Sequence, residues 1–224
     1  MTDQPDIFIG AVRIQEPVIA ITSFVVTTFA FVGYYKTRNA KRNSSIHLYR
    51  MFILFSGISC LLSGFFGHAF SYNFGVGGKF STWFTSMIAV SFAEQAALIR
   101  VRSYIGKNTF KFLSIFNIVQ VIVFIAITIF KPQFVFVEIH TAIGLLLIVC
   151  SMEIFIYTKV KSRISLNIIA GIGMLIFAVL FHIFKISATN WFTYFDFGHI
   201  FMSLCLMFFT LSILWYHETE VRTV

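Results

Sequence analysis

Seven runs of roughly 20 apolar residues, separated by short polar loops, constrain this chain more than any other feature of it. A helix rising ~1.5 Å per residue needs about that length to cross a hydrocarbon layer of roughly 30 Å. The runs fall at Pro17–Tyr35, Met51–Phe70, Phe80–Ile99, Phe112–Phe130, Gln133–Thr158, Ile164–Phe184 and Trp191–Tyr216, and none holds a lysine or arginine. They predict an all-α, polytopic membrane protein with seven transmembrane helices. Residues 1–16 are expected to form a polar segment outside, 17–216 the bundle and 217–224 a cytoplasmic tail. With 58% hydrophobic and 12% charged residues, a water-soluble globule is excluded, and thirty phenylalanines against three prolines exclude a disordered chain. Cys60, Cys150 and Cys205 each sit in an apolar run and form no metal or disulfide framework in sequence. The N-terminus lacks a basic segment followed by an apolar one, so no cleavable signal is indicated and the first helix is expected to act as signal anchor.

The net charge of +8 would suggest nucleic acid in a soluble protein, but here it reports topology. Lys36, Arg38, Lys41, Arg42, Arg50, Arg100, Arg102, Lys107, Lys111, Lys159, Lys161, Arg163 and Arg222 fall on one side of the expected spans. Arg13, Lys79, Lys131 and Lys185 fall on the other. Cytoplasmic loops carry the cationic excess, which predicts N-terminus out and C-terminus in, with membrane lipids as partners and no nucleic acid. Trp83, Trp191, Tyr72 and Tyr194 are expected at the outer interface, and Trp215, Tyr216, Tyr34, Tyr35 and Tyr49 at the inner one.

Ionisable side chains inside the spans are few: His68, Glu94, Glu138, His140, Glu153, His182, Asp196 and His199. Each is costly in hydrocarbon and is expected to face the bundle interior, a cavity or an interface. The topology places all four of these histidines in the outer leaflet, with Glu94 beside Gln95 far deeper. Asp196, His199 and Ser203 share one helical face, and His68 has Gly64, Cys60 and Gly57 on its own face, where small residues admit a close neighbour. The bland readings are that His140, His182 and Glu138 are interfacial and that Glu153 pairs with Lys159 or Arg163. Glu94 has three readings: neutralised, joined to a polar network with Asn117 and Gln120, or exposed to a water-filled cavity.

The segments "SGFFGHAF" in the second span and "YFDFGHIFMSLCL" in the last resemble the pattern of the CREST superfamily of seven-helix membrane hydrolases, which includes alkaline ceramidases and progestin/adiponectin receptors. The whole chain, including "STWFTSMIAVSFAEQAAL", also resembles a bacterial group of small seven-helix proteins of uncharacterised function. The likeness implies a location in a bacterial inner (plasma) membrane, with the N-terminus periplasmic or extracellular.

The CREST likeness implies zinc held by His68 and His199. Three departures stand out: Gly64 takes the position of the serine four residues before His68, with Ser63 one residue off; Phe195 replaces the first histidine of the last helix; and no aspartate lies near the outer end of the third. A zinc site would then recruit Asp196, His182 or His140. Asp196 would serve as ligand or general base and Ser63 as a weak oxyanion donor, in hydrolysis of a lipid amide or ester. The competing expectations are a non-enzymatic scaffold, sensor or receptor-like subunit with a decayed metal site, and a b-type haem protein with two axial histidines. A retinal-binding rhodopsin is disfavoured, because the seventh span contains no lysine.

Overall fold

The computed structural model describes residues 4–40 and 43–221. Lys41, Arg42 and Arg222, and with them the end of the 217–224 tail, lie outside the described residues. Seven helices are long and apolar enough to cross a membrane. They are α1 (Pro17–Lys36), α2 (Ser44–Ala69), α3 (Ser71–Val101), α4 (Lys107–Phe130), α5 (Val135–Val160), α6 (Arg163–Ile183) and α7 (Tyr194–Val221). Short connections make consecutive helices antiparallel, so the cationic loops gather at one end of the bundle and the N-terminal segment at the other. Helices α2, α3 and α4 extend beyond their apolar runs: α3 begins at Ser71, with a break at Gly75 (φ 53°), and ends past Arg100.

The surface is that of a chain solvated by lipid. Phe112, Ile118, Ile122 and Phe130 line the outer face of α4, while its buried residues are Asn117, Gln120 and Thr128, all polar. Such inversion is expected where lipid tails are as apolar as leucine, so that helices gain more from polar contacts and close packing than from apolar burial. The core itself runs through α1, α2, α3, α5, α6 and α7, centred on Ile53, Ala93, Ala97, Ile172, Leu206 and Phe209. Close approach at Gly57 and Gly64 is as the sequence suggests, and the neighbour is α1: an added Cβ would come within 2.7 Å of Ala30 and 2.6 Å of the Phe24 ring respectively.

Two helices change winding where they carry buried polar groups. In α2, residues Ser63–Ala69 adopt π-helical turns, and the following Phe70 N–H reaches the Phe65 carbonyl five residues back. In α5, Ala142–Val149 are wound the same way. The extra residue per turn rotates everything beyond it, so the straight face expected for His68, Gly64 and Cys60 is not kept.

The N-terminal segment is folded, which the all-α expectation did not include. Strands β1 (Ile7–Ile9) and β2 (Val12–Ile14) pair antiparallel about a turn with Gly10 at φ 61°. Glu16, at the start of α1, supplies no side-chain cap. Gln4 does so from a distance, its Oε1 accepting from the N–H groups of Val18 (3.1 Å) and Ile19 (3.3 Å). The hairpin is tied across the end of α2 by Gln15 N–H on the Ala69 carbonyl and by Ser71 Oγ donating to Gln15 Oε1.

Two interfacial aromatics are corrected. Trp83 is buried against Met87 and Val137, and Tyr49 is buried with its hydroxyl donating to Glu153 Oε1 at 2.7 Å. Tyr35, Tyr72, Trp191 and Trp215 are exposed, as ring anchors should be. The partner expected for Glu153 is also different: Arg100, from the last turn of α3, binds Glu153 Oε1 through Nε at 2.7 Å and Ser165 Oγ through Nη2 at 2.9 Å. Arg100 reaches Glu153 because α3 extends beyond its apolar run, which the run's boundary conceals.

Candidate functional site

At the hairpin end, α1, the π-wound end of α2 and the start of α7 bring together two carboxylates, two imidazoles and two hydroxyls. Asp196 is the centre of one half. Its Oδ2 accepts from the backbone N–H of Thr193 (2.7 Å) and from Thr193 Oγ1 (3.0 Å), satisfying an otherwise unpaired N–H where α7 begins. Its Oδ1 accepts from Thr22 Oγ1 of α1 at 2.9 Å. Thr22 Oγ1 also lies 2.8 Å from His199 Nδ1. A hydroxyl has one proton, and the buried carboxylate is its strongest acceptor. With that proton directed to Asp196, Thr22 accepts from His199 Nδ1–H, and the lone pair of His199 is left on Nε2. Ser23 Oγ stands 3.5 Å from that Nε2, its own proton donated to the Ile19 carbonyl at 2.8 Å.

The other half repeats the logic. His68 Nδ1 is 2.7 Å from Glu16 Oε2, and since a carboxylate only accepts, Nδ1 carries the donated proton; in a neutral ring the lone pair is then on Nε2. Both side chains are mostly shielded, at 16% and 21% exposure. The two imidazoles meet nearly edge to face, with ring centroids 6.4 Å apart. A carboxylate or hydroxyl holding one ring nitrogen is how proteins orient a histidine for metal binding or general-base work.

The remaining candidates are distributed elsewhere. His182 pairs through Nε2 with Glu138 Oε1 at 3.3 Å in a half-exposed cluster with Tyr194 and Phe195. Phe195 touches both His182 and His68. His140 is buried in the interior against the edge of Phe124. Ser63 opens the π-wound turn below His68, and no hydrogen bond joins it to the imidazoles among the described residues. Glu94 is buried and accepts from Gln120 Nε2 at 3.2 Å, one of the two network partners named in one of its three readings. Asn117, by contrast, pairs with Ser91, and Gln95 donates to Ser114.

Glu16, Thr22 and Ser23 were absent from the sequence reading. Glu16 lies before the first apolar run, and a threonine or serine inside a span carries no chemical signature unless its neighbours are known.

The ring centroids of His68 and His199, 6.4 Å apart, can be set against the spacing that a shared zinc ion requires. Two imidazoles on one tetrahedral ion, at about 2.1 Å per nitrogen, have centroids about 5 Å apart, so the pair would close by about 1 Å. Among the described residues, no group of three or more His, Cys, Asp or Glu is disposed to hold a metal. Asp196 is fully engaged as cap and orienting group, so it does not supply the third position in this arrangement.

These features define a seven-helix integral membrane protein with a carboxylate–histidine site at one end. Residues 18–216 match the family described as DUF6962, a family of unknown function, and the chain belongs to it. No curated protein and no solved structure matches the chain. The CREST likeness therefore rests on its two short motifs.

Proposed function

We propose that the protein is a zinc-dependent, hydrolase-like membrane protein acting on a lipid amide or ester, with His68 and His199 as metal ligands. The observation that supports it is that each imidazole has its Nδ1 held by an acidic network, Glu16 for one and Thr22–Asp196 for the other, leaving Nε2 available. Zinc bound there would polarise an acyl carbonyl and acidify a coordinated water. Glu16 would keep His68 in its ligating tautomer, and Asp196 would do the same for His199 through Thr22. Ser23 is placed to hydrogen-bond a group at His199 Nε2. Taking the cationic loops as cytoplasmic, the site opens to the outer leaflet, where a lipid enters laterally.

The test is zinc content and cleavage of fluorogenic lipid amides and esters by detergent-purified protein, comparing wild type with His68→Gln and His199→Gln. About one zinc per chain, lost in both variants together with cleavage, is the expected result for a two-histidine site. Wild-type protein that takes up no zinc overturns it. The competing reading, a non-enzymatic scaffold, sensor or receptor-like subunit, draws on the missing third ligand. It would be favoured by metal-free, inactive wild type whose histidine variants fold normally. A Soret band in that same preparation would instead indicate haem.

A further inference from the structure

A second polar region lies in the interior, between α3, α4 and α5. Three side-chain rungs cross from α3 to α4: Ser91 to Asn117, Glu94 to Gln120 and Gln95 to Ser114. Only the Glu94 rung carries an ionisable group. The carboxyl lies against α5 at Gly144, where an added Cβ would meet Glu94 Oε1 at 2.5 Å and Val90 Cγ1 at 2.3 Å. One turn back along α5, about 6 Å away, His140 rests on Phe124, itself one turn from Gln120. Glu94, Gln120 and His140 therefore occupy two adjacent layers of one interface, next to the π-wound segment of α5.

All three are buried, and four of their atoms have no hydrogen-bond partner: Glu94 Oε2, Gln120 Oε1 and both ring nitrogens of His140. Buried polar groups are rarely left so. An ionised carboxylate and an amide oxygen only accept, while a neutral imidazole offers one donor and one acceptor. The region is thus rich in acceptors and carries at most one negative charge. Among the described residues, no ion pair joins a cation to Glu94. Arg100, six residues on along α3, is bound to Glu153. Charged residues on α4 lie only at or before Lys111, and α2 holds none between Arg50 and His68, which faces Glu16. On α5 the other ionisable groups are Glu138, paired with His182, Cys150, Glu153, held by Arg100, Tyr157, and Lys159 in the last turn, whose ammonium lies over the Phe155 ring.

We propose that Glu94, Gln120 and His140 form an intramembrane binding site for one monovalent cation, with Glu94 as its charged ligand. One carboxylate answers a single positive charge, whereas divalent cations are held by several oxygen ligands and commonly more than one carboxylate. The cation is a proton or an alkali metal ion, which share the requirement for buried acceptors. A π-wound helix beside buried polar groups recurs at functional sites in helical proteins.

The experiment is thermal unfolding of the detergent-purified full chain, wild type against Glu94→Gln and Gln120→Leu. Sodium or potassium chloride is titrated against choline chloride at constant ionic strength and pH, and pH is then varied in choline. Stabilisation of wild type by alkali ion identifies the metal source; stabilisation on lowering pH in choline identifies the proton. Either response must be absent in Glu94→Gln and weakened about tenfold in apparent affinity in Gln120→Leu. Comparison with Glu94→Gln removes the contributions of every other ionisable group, since these are the same in both proteins. A carboxylic-acid band in the infrared spectrum, lost in Glu94→Gln, would give independent support to the proton. Parallel responses of wild type and Glu94→Gln in both series overturn the proposal. Should Glu94→Gln fail to fold, an unaltered response in Gln120→Leu does the same.

Discussion

The two polar regions of this bundle differ in how completely they are closed. At the hairpin end, both oxygens of Asp196 are engaged, and each imidazole has its Nδ1 fixed. In the interior, Glu94, Gln120 and His140 are as deeply buried, yet four of their polar atoms lack partners. A closed network fixes geometry and adds stability, whereas an open one forgoes stability and keeps the capacity to bind. Both sit beside helical segments of π winding, so the difference arises from the partners each helix meets. The end site draws hydroxyls and a carboxylate from α1, while the interior site faces the apolar wall of Phe124 and Val90.

That contrast orders the expected effects of substitution. The benchmark for an ion-paired buried charge is Arg100→Ala, which removes the cation from Glu153 and is expected to lower stability by about 3–5 kcal/mol in reversible unfolding from mixed micelles. Substituting both partners by apolar residues should recover much of that loss. Asp196→Ala removes the two Thr193 hydrogen bonds at the start of α7 and the Thr22 contact, for an expected loss of about 2–3 kcal/mol. Gly144→Ala forces a methyl into Val90 and the Glu94 carboxyl and should cost about 1–2 kcal/mol, with partial relief from an added Val90→Ala. Glu94→Gln, made in the open region, should change stability by less than about 1 kcal/mol in choline, because few native hydrogen bonds are lost. If it proves as damaging as Asp196→Ala, the distinction between the two regions fails. The smallest stability effect is expected for Glu16→Gln, about 0–1 kcal/mol for a partly exposed pair. That same substitution should nevertheless weaken zinc binding by about 10–100-fold, since it loosens the orientation of His68.

Most of the fold was legible because bilayer physics writes it in long apolar runs. Helix number, order and approximate bounds follow from run length, and Gly57 and Gly64 announced a close helix approach. The site was legible only in part. His68, Asp196 and His199 stood out as ionisable groups in apolar context and are close in space. Their orienting partners did not, because Glu16 lies in a segment that reads as a polar tail, and Thr22 and Ser23 look like any small polar residues of a membrane helix. The pairing of Glu94 with Gln120 was legible only as one of three alternatives, because depth and the lack of a cation in the spans mark a buried carboxyl without naming its partner. The pairing of Glu153 with Arg100 was not, because apolar run length ends at Ile99 while the helix continues to Val101. Tyr49 and Trp83 show the same limit: an aromatic near a span end reads as an interfacial anchor whether it faces lipid or the core.

The central claim is that acidic partners hold both site histidines with Nδ1 protonated and Nε2 free. Nitrogen NMR of histidine-labelled protein in micelles tests it directly, with His68→Gln and His199→Gln assigning the two signals. The expected spectrum shows both residues as neutral Nδ1–H tautomers in the metal-free protein, with their Nε2 resonances shifting on addition of zinc. An Nε2–H tautomer at either residue, or resonances indifferent to zinc, would contradict the account.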